Sequence, residues 1–267
     1  MMNARKFMLV STMLLTGMLL AHAHEFWLQA DKFFINVGER LNVKFMVGEN
    51  FMGESWDLGK HRIEKLELYG STGVKNVADS VRTDKGLLQL TMNEVGTKLL
   101  VMQSNNAFLE MPASKFNEYL KDDGLDDVYA QREKTKSLES PSRELYARYT
   151  KLYVQVGGQL DDVYKKVVGM PVEIVPDKNP CGLKKGDPVR FLILFEGKPL
   201  FGVKVRVWNR FDNRTTIQNI YTEKDGKVSI HISNPGSWMV SVVKMVPSTD
   251  PKADWQSYWG SLVFGIR

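Results

Sequence analysis

Arg40-Leu41-Asn42-Val43-Lys44-Phe45-Met46-Val47 places apolar Leu41, Val43, Phe45 and Val47 at every second position, with mostly polar residues between them. An extended chain points successive side chains to opposite faces, so a period of two marks a strand buried on one side. Working outward, Phe26–Gln29, Phe33–Asn36, Ile63–Tyr69, Leu87–Met92 and Lys98–Gln103 read as further short strands. Gly38-Glu39, Gly70-Ser71, Asp84-Lys85-Gly86 and Val95-Gly96 fall between them as turns. Strands at this spacing with glycine turns predict a sandwich, and residues 24–111 read as an N-terminal β module.

The far end of the chain shows the pattern more strongly. Val189–Phe195 is a strand, Gly197-Lys198-Pro199-Leu200 a turn, and Val203, Val205 and Val207 alternate along the next strand. Asp225-Gly226 is a hairpin signal, because the tight turns that fit strand twist need positive φ. Val228, Ile230 and Ile232 then share one face, with Ser229, His231 and Ser233 on the other. Pro235-Gly236 leads into Trp238–Val243, and Tyr258–Ile266 supplies a closing strand. Residues 169–267 therefore read as a C-terminal β-sandwich.

Between the two, residues 112–168 change period. Phe116, Tyr119 and Leu120 stand at i, i+3 and i+4, after Pro112 and Ser114 and before Gly124, and Leu125, Val128 and Tyr129 repeat that spacing. Leu145, Tyr146 and Tyr149 follow an opening at Ser140-Pro141-Ser142, so two or three short helices are expected. Lys121-Asp122-Asp123, Asp126-Asp127 and Arg132-Glu133-Lys134 read as a solvated helical face. The expected fold is mainly β: two β-sandwich-like modules with a short helical insertion between them.

Residues 1–23 have the three-part pattern of a secretory signal peptide. Arg5 and Lys6 precede the uncharged, mostly apolar Phe7–Leu20, and Ala21 and Ala23 form an A-x-A cleavage site. That apolar run is too short for a comfortable membrane span. Cleavage after Ala23 leaves 244 residues beginning at His24, with 34 basic and 31 acidic side chains. The small excess is spread along the chain, whereas nucleic acid calls for a clustered basic face. No later apolar run approaches the length of a membrane helix, so no span is expected in the mature chain. The expected location is the periplasm. Cys181 is the only cysteine, which excludes an internal disulfide and cysteine-rich zinc or iron–sulfur frameworks.

Three histidines remain after cleavage: His24, His61 and His231. As first residue, His24 carries an α-amine with pKa near ~8 and an imidazole near ~6.5, both of which a metal ion can deprotonate and chelate. Nitrogen donors favour Cu(II), Ni(II) or Zn(II). The plain alternative is that cleavage merely leaves a histidine first. His61 lies in Gly59-Lys60-His61-Arg62, where neighbouring cations favour its neutral, ligating form; the alternative is an ordinary surface histidine. His231 alternates onto the face opposite Val228, Ile230 and Ile232, and reaches the others only if the modules pack face to face. Glu25, Glu49, Glu54 and Asp57 offer oxygen donors, and Gly48-Glu49-Asn50-Phe51-Met52-Gly53-Glu54 is a glycine-bounded loop suited to rim a pocket.

No G-x-S-x-G elbow, P-loop, H-E-x-x-H or locally paired Cys and His is present, so an enzyme is not expected. Trp255 and Trp259 flank Tyr258; exposed, they would stack on sugar rings or a partner, and buried they would pack a core.

Five stretches together resemble a known family: His24-Glu25-Phe26-Trp27, Tyr119-Leu120-Lys121-Asp122-Asp123-Gly124-Leu125, Arg143-Glu144-Leu145-Tyr146-Ala147-Arg148-Tyr149, Pro171-Val172-Glu173-Ile174-Val175-Pro176 and Asp254-Trp255-Gln256-Ser257-Tyr258-Trp259. They resemble the NikM-like family of periplasmic proteins, also catalogued as a domain of unknown function, over nearly the whole mature chain. The resemblance implies a component of nickel or cobalt uptake that serves an inner-membrane transporter. It also implies a histidine in a Val-His-Met context after a Gly-x-Trp turn. Gly236-Ser237-Trp238 leads instead to Val243-Lys244-Met245, so that position is Lys244. Gly197 to Val243 separately resembles a transthyretin-like module, which implies a structural or binding unit. The expectation is a non-enzymatic protein that chelates Ni, Co, Cu or Zn through His24, with His61, His231, Glu25 and Glu49 as candidate partners. The alternative is an interaction module of the cell envelope that binds glycan or protein.

Overall fold

The computed structural model describes residues 25–267. The amino-terminal region supplies β1 (Glu25–Ala30), β2 (Phe34–Ile35), β3 (Arg40–Glu49), β4 (Met52–Ser55), β5 (Ile63–Gly70), β6 (Gly73–Asn76), β7 (Val81–Arg82), β8 (Leu87–Thr91), β9 (Gly96–Ser104) and β10 (Ala107–Met111). Helices α1 (Ala113–Asp123) and α2 (Asp126–Lys134) follow, and then the long strand β11 (Ser142–Val156). The remainder is β12 (Val172–Pro176), β13 (Pro188–Phe195), β14 (Lys198–Pro199), β15 (Lys204–Phe211), β16 (Arg214–Tyr221), β17 (Lys227–His231), β18 (Gly236–Pro247) and β19 (Trp255–Ile266).

A ten-stranded central sheet runs β16-β15-β18-β19-β11-β9-β5-β6, with β2 and β10 also paired to β11. It draws strands from both ends of the chain and serves two sandwiches at once. On one face, Trp208, Met239 and Val263 share a core with Leu28 of β1 and Phe45 of β3, from the five-stranded sheet. On the other, Val207, Val240, Leu262 and Phe264 share a core with Val172, Phe191 and Ile230, from the four-stranded sheet. A strand covered on both faces needs apolar side chains throughout. Leu262-Val263-Phe264 is therefore a continuous apolar run, while Leu41, Val43 and Phe45 of β3 alternate with more exposed residues.

The helices form where the spacing predicts them. Phe116, Tyr119, Leu120, Leu125 and Val128 pack on Val243, Met245, Trp255 and Trp259 at one end of the central sheet. The third expected helix, around Leu145–Tyr149, is instead the first half of β11. That strand pairs in parallel with β19 from Glu144↔Trp255 to Leu152↔Val263, and antiparallel with β10 and β9 on its other side. Backbone partners on both edges outweigh a weak helical spacing. The alternation is hidden there because Glu144, Tyr146, Arg148 and Thr150 face a band of buried polar groups. Farther along, Leu152, Val154 and Val156 on the same face enter the core.

Lys151, on the opposite face of β11, is fully buried with its Nζ 2.5 Å from Glu173 Oε1. Glu173 also accepts backbone N–H bonds from Val168, Gly169 and Met170, which ties the segment before β12 to the central strand.

Candidate functional site

The polar band lies between the helices and the start of β1, over β11, β15, β18 and β19. α1 ends at Gly124, whose φ of +69° is left-handed, with Leu125 N–H closing back on the Leu120 carbonyl. A Cβ at Gly124 would meet the Lys204 side chain at 2.8 Å, so glycine is required by both the turn and the packing. This ending puts Asp123 and the Asp122 carbonyl against β15. Arg206 donates through Nη1 to Asp123 Oδ1 and to Glu25 Oε1 (3.2 Å), and through Nη2 to the Asp122 carbonyl (2.7 Å). Lys204 Nζ donates to the same carbonyl at 2.7 Å. One guanidinium thus joins the end of a helix, the start of β1 and the central sheet. Glu25, Asp123, Lys204, Arg206, Ser241 and Trp259 enclose a pocket of about 10 Å³, room for roughly one water.

A third carboxylate lies beside this pair. Ser257 Oγ donates to Glu144 Oε1, Tyr119 donates to the same oxygen at 3.3 Å, and Trp259 Nε1 donates to Ser257 Oγ at 3.1 Å. Glu144 Oε2 is buried and has no partner among the described residues. Burial pushes Glu144 up to about 7, with the nearby charge of Asp123 adding to the rise. Burial also lifts Asp123 to about 7 against the pull of Arg206, and raises Glu25.

Among the described residues Glu144 has no cationic partner, so its effect on stability has a definite sign. Its carboxyl takes up a proton more readily in the fold than in the unfolded chain. The stability it contributes is complete below about pH 4.5 and is lost as pH rises through about 7. Between pH 5 and pH 8 the loss is about 2–3 kcal/mol. Thermal unfolding at the two pH values should show the wild type losing this amount more than Glu144→Gln; equal pH dependence would refute the assignment.

His61 stands on the other side of β1's first turn of chain. Its ring stacks on Trp56 at 4.9 Å, and Trp56 packs edge-on against Phe26 at 5.0 Å. Its pKa is lowered, first by burial and then by repulsion from Arg148, with Lys60 a minor contributor. The neutral form expected from the sequence is therefore favoured, chiefly for a reason the local sequence does not contain. Glu49 ends β3 and is exposed, next to Gly48, the partner of Glu25 in the β1–β3 ladder. The hairpin beyond it turns through Asn50 and Phe51, both at positive φ. For Phe51 the unfavourable conformation is offset by burial of its ring against Trp27, 5.5 Å away.

Glu25 and Glu49 therefore lie close together at the start of β1, while His61 meets this strand only through Trp56 on Phe26. His231 does not join them: it is exposed on β17, opposite Pro188 in the four-stranded sheet. His24 lies outside the described residues. Among the described residues no three His, Cys, Asp or Glu side chains are grouped so as to hold a metal ion. Lys244, at the position where the resemblance implies a histidine, donates to Asp127 of α2 at 2.6 Å. Trp255 and Trp259 are buried, as are Trp27 and Trp56, so these rings give no open platform for sugars. Cys181 is buried in a short turn, its thiol pushed up to about 12 by burial. Among the described residues no helix is long and apolar enough to cross a membrane. Asp123, Glu144 and Arg206 escape a motif search because they lie on three different elements, α1, β11 and β15.

The chain belongs to the family described as a domain of unknown function, DUF4198, which matches residues 21–245. No curated protein matches the sequence. Solved structures with some likeness include a mutant of Salmonella alpha-2-macroglobulin, at 11% identity and a TM-score of 0.23. The N-terminal four Ig domains of Dscam1 isoform 9.44, with zinc, show 9% identity and a TM-score of 0.22. These cover 90% and 89% of this chain, which spans only 14% and 51% of theirs. Neither likeness bears on function.

Proposed function

We propose that this protein is a periplasmic, non-enzymatic carrier of a divalent transition metal of the nickel and cobalt class, a NikM-like member of its family that hands its cargo to an inner-membrane uptake system. The anchor is His24, through its α-amine and ring once the leader is removed. The observation that carries the reading is the setting of the next residue. Glu25 follows His24 in the sequence and is buried at the start of β1, with the charge of Glu49 close enough to raise its pKa. Two carboxylates near the start of the mature chain, with the terminal histidine, are oxygen and nitrogen donors suited to borderline divalent ions.

The test compares secreted protein whose intact mass shows a start at His24 with the same chain carrying one extra N-terminal residue. Calorimetry with Ni(II), Co(II), Cu(II) and Zn(II) should give tight binding to the first form. The extension should weaken it at least tenfold, equivalent to about 1.4 kcal/mol. Equal affinity for both forms, or a start at another residue, would sink the chelate.

A further inference from the structure

Arg148 sits on β11 with 9% of its surface exposed, and no carboxylate pairs with it among the described residues. This is costly unless something compensates, since a buried charge normally needs a partner. Three aromatic rings surround it. The guanidinium carbon is 5.0 Å from the centre of Tyr146, 5.3 Å from Phe26 and 5.7 Å from Trp56. Ring faces attract a cation, and Tyr146 accepts a side-chain hydrogen bond from it, but among the described residues no carboxylate meets the fork of N–H groups in the guanidinium plane. A second donor in the same box is also unused: Trp56 Nε1 is buried and has no acceptor among the described residues.

We propose that this box receives a small carboxylate anion, with Arg148 as its fork and the indole N–H of Trp56 as a second donor. The planar guanidinium fits two coplanar carboxylate oxygens, and the flanking rings suit a flat or apolar organic body. The charge balance selects the class. Among the described residues Arg148 is the cation that lies over all three of these rings. The box therefore presents one fixed positive charge and few donors, which matches a monoanionic carboxylate better than a tetrahedral oxyanion of higher charge. The inference stands apart from the metal reading, because it needs neither His24 nor a metal ion.

The full mature chain, treated with chelator, would be titrated with benzoate and propionate, and with sulfate and phosphate for comparison. Two-dimensional NMR of the indole N–H signals gives a local readout, and Trp56→Phe identifies the Trp56 signal by its loss. The carboxylates should move that signal saturably. Arg148→Lys, which keeps the charge and loses the fork, should weaken benzoate binding about tenfold, and Trp56→Phe should weaken it by a smaller factor. Trp56→Phe keeps the ring and guards against misfolding of the arginine variant. A Trp56 signal indifferent to carboxylates, sulfate or phosphate binding more tightly, or unchanged affinity in both variants would each overturn the proposal. Metal binding measured on the same samples separates the two readings, since either can fail alone.

Discussion

Arg206→Met should destabilise the fold by about 3–5 kcal/mol, the range for removing one partner of a buried ion pair. The side chain joins Asp123 at the end of α1 to Glu25 at the start of β1, and it also satisfies the Asp122 carbonyl. Without it, two buried carboxylates face a pocket with no guanidinium, and Lys204 is already committed to Asp122. Both acids would then favour their protonated forms more strongly. The loss should accordingly be smaller at pH 5 than at pH 8, and Asp123→Asn in the same background should recover part of it at pH 8. Denaturant unfolding at the two pH values decides the matter. The same loss at both would mean that Arg206 acts through packing alone. Hydrogen exchange should also quicken at the end of α1, because the helix loses its link to the sheet.

The second large effect is expected at the Lys151–Glu173 pair. Glu173→Gln leaves the Lys151 ammonium fully buried with no countercharge, held only by neutral oxygens such as the carbonyls of Lys166 and Ile174 at 3.3 and 3.2 Å. The expected loss is again about 3–5 kcal/mol. Burial already lowers the Lys151 pKa, and removal of the carboxylate lowers it further. A lysine favoured neutral in the fold destabilises least near its unfolded pKa, so the deficit should shrink as pH rises toward 10, near the ordinary lysine value of about 10.4. Lys151→Met alone should cost less, because Glu173 keeps its three backbone donors. Replacing both by methionine should come closer to the wild type than Glu173→Gln. Equilibrium unfolding of the three variants gives the order. A double replacement worse than either single would show that the pair has favourable energy beyond mutual neutralisation.

Much of the fold is legible in the sequence because most strands are covered on at least one face by a continuous core. Leu41, Val43 and Phe45 alternate since β3 has one buried face, and Phe116, Tyr119 and Leu120 recur at helical spacing since α1 buries one stripe. Around Leu145–Tyr149 the spacing predicts a helix where the fold has β11, for the opposite reason. Its first half faces buried polar groups, so Glu144 and Arg148 stand where apolar residues would announce a strand. The short strands β4, β6, β7 and β10 left little pattern, being two to five residues long with mostly exposed or half-buried side chains.

The candidate site divides in the same way. Glu25, Glu49 and His61 could be named from residue type and from nearness to His24 or to a glycine-bounded loop. What brings them around the start of β1 is the β1–β3 register and the packing of Trp56 on Phe26. His231 carries the same imidazole, yet its strand belongs to a separate sheet. By itself, the sequence determined the β character, the two helices and the histidine that follows the predicted leader, since periodicity and cleavage signals are local. Only the tertiary structure decided that Asp123, Glu144 and Arg206 converge. Their burial, charge balance and shifted protonation come from elements far apart in the chain, and no local pattern encodes a contact made across a sheet.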